Sequence, residues 1–291
     1  MGAVEIGLIY ALVALGVLIS FRLLNFPDLT ADGSFPLGGA VAAVFIIKGI
    51  NPWFACVAAM FAGACAGWLT AWLNVRLQIL QLLSSILVMI ALYSINLRIM
   101  GAPNVPLIGS SSVFTPFLNP DTDIAWLLQP ALLSIVVIIC TLLLNVFFAS
   151  ETGLALRATG ANVRMARAQG ISTNFMTLFG MALSNSLIAL AGALYVQTQG
   201  GADISIGIGT IVVGLAAVII GETLLPTRKL WQLTLAVVLG ALLYRIFIAL
   251  ALNADFIGLQ AQDLNLITAV LVGLALVLPK MKSAFKRKFA Q

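Results

Sequence analysis

Two carboxylates, Asp28 and Asp32, have the spacing in this sequence that comes closest to a catalytic or metal-binding pair. Paired carboxylates at such a separation can hold a divalent cation and, through it, a pyrophosphate group. The pair stands alone, because the chain has ten acidic residues spread over its length and no histidine. It therefore lacks both the commonest general base and the commonest metal ligand. The sequence argues against an enzyme and predicts neither a bound metal nor another cofactor.

A second concentration of charge lies in the segment SETGLALRATGANVRMARAQG at 150–170. It carries three arginines: Arg157, Arg164 and Arg167. Basic loops between membrane helices lie preferentially on the cytoplasmic side. Asn162 is a favoured N-cap residue, and Gly170 suits the left-handed position that follows a helix end. The pattern predicts two short cytoplasmic helices, hinged at Gly160 and Ala161, that dock with a partner.

The charged segments described above must be connected by membrane helices, because hydrophobic residues make up 62% of the 291 residues and charged residues only 9%. Nine apolar runs approach or exceed the roughly 17–25 residues that a helix needs to cross a bilayer. They lie at 4–22, 34–50, 52–74, 79–98, 124–149, 175–198, 205–221, 230–252 and 264–279. Runs such as IVVIICTLLLNVFF are apolar on every face, unlike the alternating strands of a β-barrel. The sequence predicts an all-α polytopic membrane protein with about nine transmembrane helices.

Basic residues indicate how these spans are oriented. With the N-terminus outside and the C-terminus in the cytoplasm, twelve of the fifteen basic residues fall on the inner side, while five aspartates fall in outer loops. One transmembrane domain at 1–279, with cytoplasmic helices at 150–171, is then followed by a basic cytoplasmic tail at 280–291. The net charge of +5 fits contact with the lipid of an anionic inner leaflet, and it does not indicate nucleic-acid binding.

Polar residues inside the spans are few, and the fourth span holds the most regular set. Small polar and apolar side chains follow one another there at helical spacing: Ser84, Ser85, Met89, Leu92 and Asn96. This uncharged stripe predicts the lining of a translocation path for a small, largely apolar solute, and interhelical hydrogen bonding is its structural alternative. Arg245, in the eighth span, is expected to reach the outer headgroups or to pair with Asp255 or Asp263.

The segment NFPDLTADGS at 25–34 places a proline, a glycine and two carboxylates between two apolar spans. Irregular backbone at membrane depth is tolerated where it is buried in protein or lines a polar cavity. One interpretation is therefore a re-entrant element beside the path, to which Asn25, Asp28 and Asp32 contribute. The other is a cytoplasmic turn in which Asp28 and Ser34 cap neighbouring helices. The sequence leaves both open.

The chain has no G-x-x-x-x-G-K-[ST] motif, so it cannot bind a nucleotide in the P-loop manner. A transporter built on it must take its energy from a partner or from an ion gradient. An ion-coupled secondary transporter would be expected to carry intramembrane acids and paired broken helices. The Asp28 region is the one candidate for such a feature, and no second copy is evident.

The chain resembles the permease subunits of ABC importers of the branched-chain amino acid and ribose type. Asn25 and Phe26 fit the "NF" that follows the first span in that family, and GLAAVIIGETLL at 214–225 fits its seventh span. LNFPDLTADGSFPLGGAVAA and LQAQDLNLITAVLV are closer still to a branch linked with uptake of tryptophan and related amino acids. The cytoplasmic coupling segment of the family is matched at Gly153, Arg157, Ala158, Gly160, Asn162, Ala166, Gly170 and Ile171.

The resemblance implies the fold of the cobalamin-importer (type II) permeases, with its first helix missing. It implies a homodimer in the inner membrane, two ABC ATPase subunits on the cytoplasmic side, and a periplasmic or lipid-anchored substrate-binding protein outside. Arg164 joins the matched residues as a coupling candidate. The expected substrate is an amino acid, aromatic or aliphatic, and a sugar is the alternative. Pro27 and Asp28 replace the small and polar residues of the branched-chain members.

Overall fold

The structure is a computed structural model, and it describes residues 2–115, 125–225 and 229–252, together with Gly273. Within these ranges the chain forms ten α-helices and two short strands. The helices are α1 (Gly2–Val17), α2 (Ala31–Ile47), α3 (Pro52–Leu77), α4 (Gln81–Met100), α5 (Ala125–Ala149), α6 (Glu151–Ala161), α7 (Val163–Ala168), α8 (Thr173–Gln199), α9 (Thr210–Leu224) and α10 (Leu230–Leu252). A π-helical segment, Leu18–Leu23, extends α1, and a 3₁₀ turn, Ile204–Gly207, precedes α9.

The all-α membrane fold predicted from the sequence is confirmed. Seven helical segments of the described residues are long and apolar enough to cross a membrane. The predicted second span corresponds to α2, which begins at Ala31 rather than at 34. With 17 residues, α2 is shorter than each of those seven segments. The predicted ninth span at 264–279, the tail at 280–291, Asp255 and Asp263 lie outside the described residues.

Helix α8 forms the centre of the bundle, where it packs against α1, α2 and α3. Glycines allow α2 and α8 to approach each other backbone to backbone. A Cβ built on Gly38 would overlap the Ala189 carbonyl group, and one built on Gly192 would overlap the carbonyl oxygen of Phe35. Small residues at such contacts are the usual means by which membrane helices pack closely. This tight pair is the scaffold that holds the polar groups described below.

Arg245 contacts an aromatic cluster that the sequence did not predict. Its guanidinium carbon lies 5.8 Å from the centre of the Tyr10 ring, within the range of a cation–π interaction. Tyr10 stacks on Phe35 at 5.9 Å, and Phe35 contacts Tyr195 at 5.5 Å. Arg245 therefore joins α10 to α1, α2 and α8 through aromatic contacts.

The C-terminal end of α8 carries a small antiparallel ladder. Strand β1 (Asn104–Pro106) pairs with β2 (Gly201–Asp203), and Val105 stands opposite Ala202. The Val113 amide donates to the side-chain oxygen of Gln197 at 2.9 Å, which fastens the loop after β1 to α8. This end of the bundle, which the sequence predicts to be outside, is thus closed by backbone and side-chain hydrogen bonds.

Candidate functional site

Helices α6 and α7 form the element that the sequence predicts to be cytoplasmic, and together they are called the inner helix pair. Asn162 joins them with an extended backbone, φ −160° and ψ 101°, and its side-chain oxygen accepts from the Met165 amide at 3.1 Å. The predicted N-cap is confirmed, and Gly170 has the predicted left-handed conformation. The predicted hinge at Gly160 and Ala161 is wrong, because both residues belong to α6 and the break falls at Asn162.

Two glycines of α6, both predicted to act in coupling, seat this helix against the membrane bundle. A Cβ on Gly160 would overlap the carbonyl oxygen of Leu23, and one on Gly153 would overlap that of Phe147. Leu156, fully buried on the same helix, packs in a cluster with Phe26. Helix α6 is therefore a packed part of the bundle that contacts the end of the π-helical segment directly.

The three arginines of this region have different surroundings. Arg167 donates through Nε to Thr173 Oγ1 at 2.8 Å and through Nη2 to Asn174 Oδ1 at 3.3 Å, which fixes α7 to the start of α8. Arg157 is half-buried on α6, whereas Arg164 is exposed on α7. The structure thus separates three residues that the sequence treats as one basic group.

Helix α7 presents apolar side chains to solvent beside Arg164. Met165 is 63% exposed and Val163 is exposed as well, while Ala166 faces inward and is buried. Exposure of large apolar side chains to water is unfavourable, and a group of them among polar residues is typical of a surface that contacts another protein. The exposed half of the inner helix pair is therefore α7.

A cavity of about 600 Å³, called the inner cavity, lies between the π-helical segment and α6. Its lining includes Arg22, Asn25 and Arg157. Arg22 also donates from Nε to the carboxylate of Glu222 at 2.6 Å, and this ion pair joins the end of the first span to α9. Asn25 is exposed and has a positive φ of 54°, which turns the chain away from the first span.

The link between α1 and α2, residues 24–30, holds its polar groups in a buried network. Asp28 is 2% exposed. It accepts from the Thr30 amide at 2.9 Å and from Asn185 Nδ2 at 2.7 Å. Asn185 Oδ1 in turn accepts from Ser34 Oγ at 2.6 Å, and the Thr30 hydroxyl lies 2.8 Å from that of Thr70. The network ties the link to α8 and α3.

The link lies deep along α8, not at its end. Met181 and Asn185, which pack beside it, are the ninth and thirteenth residues of a helix that begins at Thr173. At 1.5 Å per residue this depth is about 12 to 18 Å. The irregular backbone is thus surrounded by protein well inside the length of α8, and its assignment as a re-entrant element or a cytoplasmic turn stays a prediction. Asp28 itself is enclosed by neighbouring helices.

Asp32 has a separate role from Asp28. Its two carboxylate oxygens accept from the amides of Gly209 at 3.2 Å and Ile211 at 2.8 Å, so Asp32 caps the start of α9. The two carboxylates that the sequence pairs by spacing therefore serve different helices. Among the described residues, no group of three or more Asp, Glu, Cys or His side chains could hold a metal ion.

Part of the polar stripe of α4, namely Met89, Leu92 and Asn96, lies against Gly33 of α2 within the same chain. Ser84, Ser85, Leu92 and Asn96 are all buried, and Met89 is half-buried. Asn96 donates from Nδ2 to the Gly33 carbonyl oxygen at 3.2 Å, while each serine hydroxyl donates to a carbonyl of its own helix at 2.8 Å. The opposite face of α4 is exposed and mainly apolar: Leu83, Leu87, Ile90, Ser94 and Leu97.

Residues 3–278 match the family described as the branched-chain amino acid transport system permease component. The chain belongs to this family. It is thus a permease component of ABC-type transport and a multi-pass inner membrane protein.

The permease is similar to several proteins with transport names. A tyrosine transport system permease protein of Clostridioides difficile is 38% identical over 265 residues, which cover 91% of this chain and 86% of the relative. A probable branched-chain amino acid transport permease protein of Methanocaldococcus jannaschii is 28% identical, over 66% of this chain and 64% of the relative. The galactofuranose transporter permease protein of Escherichia coli is 26% identical, over 74% and 61%.

One solved structure shares the fold of the permease. It is PsaBC from Streptococcus pneumoniae in complex with Fab, with a TM-score of 0.51 and 16% identity. The likeness covers 94% of this chain and 89% of the other.

The residues predicted for coupling lie together in the permease, whereas those predicted for the path do not. All the coupling candidates lie on the inner helix pair or in the turn that follows it. Of the path candidates, Asn25 lines the inner cavity, Asp28 is enclosed, Asp32 caps α9, and the α4 stripe is largely buried, with Leu92 and Asn96 against α2. Thr70 and Asn185 complete the network around Asp28, and only the contact between helices, not a sequence motif, identifies them as its partners.

Proposed function

We propose that this permease is the translocating subunit of an ATP-driven importer that carries an amino acid, aromatic or aliphatic, into the cell. It forms a homodimer above two ABC ATPase subunits and receives its substrate from a binding protein on the outer side. The family match and the all-helical membrane fold support the subunit's role. The amino-acid class draws its support from the similarity to a tyrosine transport system permease protein and a branched-chain amino acid permease.

The inner helix pair is the observation that carries this proposal. Its first helix is rigidly packed, since Gly160 and Gly153 bring α6 against backbone of the bundle. Its second helix exposes Val163, Arg164 and Met165. A movement of an ATPase against α7 would therefore be transmitted through α6 to the end of the first span at Leu23. That is the geometry that coupling of ATP hydrolysis to transport requires.

The path runs along α4 at the dimer axis in this proposal. The stripe of α4 is buried, and its Met89, Leu92 and Asn96 lie against α2, so we assign the lining to the exposed face: Leu83, Leu87, Ile90, Ser94 and Leu97. A mainly apolar face without a fixed charge lets a small apolar solute pass without holding it. In this proposal the binding protein, and not the path, selects the substrate.

Reconstitution tests the subunit's role. The purified permease in liposomes should accumulate no amino acid by itself, with or without an ion gradient. Uptake should appear when the ATPase and the binding protein encoded beside it are added with ATP. Ion-driven uptake by the permease alone would contradict the proposal and favour a secondary transporter.

Cysteine accessibility tests the path. In a background lacking Cys56, Cys65 and Cys140, cysteines at 87, 90 and 94 should react with an aqueous thiol reagent during turnover. Cysteines at 85 and 92, on the buried stripe, serve as matched controls and should stay protected. Labelling at 85 and 92 with protection at 87, 90 and 94 would assign the path to the stripe instead.

The substrate class is tested on the binding protein. The ligand that co-purifies with it, identified by mass spectrometry, should be an amino acid. A pentose or hexose would overturn the amino-acid assignment and would fit the similarity to a galactofuranose transporter permease. Either result leaves the fold and the coupling element unaffected.

A further inference from the structure

The inner cavity combines positive charge with an apolar rim. Its described lining includes two arginines, Arg22 and Arg157, and an amide, Asn25, but no acidic residue. Glu222 occupies only Nε of Arg22, so the Nη groups of that guanidinium are not used by the ion pair. Guanidinium groups match the oxygens of a phosphate in both charge and geometry.

We propose that the inner cavity binds the phosphate headgroup of an anionic membrane lipid. The assignment rests on the inner-side placement of α6 in the proposed function, and it is independent of ATP coupling. Arg157 supplies the principal contact, because it lines the cavity from the packed helix α6 and is half-buried there. Arg22 and Asn25 complete the polar wall.

The position of the cavity favours a lipid over a free ion. It opens beside Leu23, the last residue of the first span, and its α6 wall runs from Leu154 to the end of that helix at Ala161. Headgroups lie at the depth at which membrane spans end. Two large apolar side chains also line the cavity and are partly open to solvent: Phe21 is 43% exposed and Leu154 is 52% exposed. These side chains would contact the part of an acyl chain nearest the headgroup.

The size of the cavity points the same way. About 600 Å³ exceeds what a phosphate ion or a single acidic side chain would fill, and it falls within the usual range for small-molecule sites. An ATPase side chain that entered the cavity would leave much of it empty. The exposed residues of α7 lie outside this lining, so a lipid here and an ATPase on α7 would not compete for the same side chains.

Native mass spectrometry of the full permease in detergent tests the proposal without ATP or ATPase. We expect phosphatidylglycerol to bind in preference to phosphatidylcholine with the same acyl chains. Arg157→Gln should weaken phosphatidylglycerol binding about tenfold, as expected for loss of one charge-assisted contact. Arg164→Gln, which removes the same charge from the exposed helix, should leave it unchanged. Equal lipid affinity of the two variants would overturn the proposal.

Two further arms separate the sources of the anion. Millimolar inorganic phosphate should fail to displace the lipid from the wild-type permease, and complete displacement would assign the cavity to free phosphate instead. If Arg157→Gln leaves lipid binding intact but weakens binding of the ATPase, the cavity serves the ATPase and the lipid assignment fails.

A second pair of variants guards against misfolding of Arg157→Gln. Ala161 is exposed and lines the cavity, whereas Ala168 is exposed at the end of α7. Ala161→Glu should repel the headgroup and reduce phosphatidylglycerol retention, and Ala168→Glu should not. Equal retention by both variants would contradict the assignment.

Discussion

The link between α1 and α2 and the helix α7 are both short polar interruptions of apolar sequence, but the structure uses their polar groups in opposite ways. In the link, Asp28 is enclosed and hydrogen-bonded by Thr30 and Asn185. On α7, Arg164 and Met165 face solvent. A buried polar group without a partner is costly, so the residues of the link are committed to the fold. The residues of α7 remain available for a partner.

The two helices of the inner helix pair differ in the same way. Helix α6 resembles the link, because Gly160 and Leu156 are committed to internal packing. Helix α7 contributes the exposed surface. Internal packing and exposed surface are thus divided between two adjacent helices, and substitutions in the two should have different consequences.

The largest effect is expected in the buried network. Asn185→Leu removes the amide that donates to Asp28 and accepts from Ser34, and it leaves a buried carboxylate without that partner. We expect the free energy of unfolding to fall by about 3 kcal/mol, the upper range for a buried hydrogen-bonding group that loses one partner. Thermal unfolding in detergent measures the change. Gln169→Leu replaces an exposed amide at the end of α7 and should have little effect. An equal loss of unfolding free energy in the two variants would contradict the difference between the link and α7.

A smaller effect should separate α6 from the turn after α7. Gly160→Ala forces a methyl group against the Leu23 carbonyl and should cost about 2 kcal/mol or more. At Gly170 the space is open but φ is +83°, so Gly170→Ala should cost only about 1 kcal/mol. The same unfolding measurement compares the two variants. A Gly160→Ala variant as stable as the wild type would show that α6 is not tightly seated.

The sequence predicted the elements of this permease better than their contacts. Eight of the nine spans predicted from apolar runs are helical in the part of the chain that the structure describes, and the N-cap predicted at Asn162 is present. These features were predictable because hydrophobicity and capping are local properties of the sequence. The hinge was misplaced because Gly160, read locally, looks like a helix breaker. Its small size is in fact required by Leu23, a residue far away in the chain.

In the candidate site, too, the contacts between elements could not be predicted from the sequence. Spacing grouped Asp28 with Asp32, whereas in the structure Asp32 caps α9 and Asp28 bonds to α8. The path assignment of the α4 stripe stays a prediction, and its Asn96 bonds to α2. Polar residues on a helix can serve a neighbouring helix or a solute, and their periodicity is the same in both cases. The inner cavity could not be predicted, since Arg22 and Arg157 are 135 positions apart in the sequence.

The smallest expected effect on stability is at the junction of the helix pair. Asn162→Ala removes the cap of α7, worth about 1 kcal/mol, and should leave the unfolding midpoint nearly unchanged. Hydrogen exchange of the amides at 163–168 should become about fivefold faster, because the loss is local. Asn162→Asp keeps an acceptor at the cap and should exchange like the wild type. Unchanged exchange in Asn162→Ala would mean that the cap does not hold α7 in place.

The most direct test of docking on α7 is the affinity of the permease for the ABC ATPase that we propose as its partner. Met165→Glu places a charge on the exposed apolar surface of α7 and should weaken ATPase binding at least tenfold while the unfolding midpoint stays the same. Ile108→Glu, a matched change at an exposed residue on the opposite end of the bundle, should bind the ATPase like the wild type. Undiminished ATPase binding by the Met165→Glu variant would contradict the central claim that α7 is the docking surface.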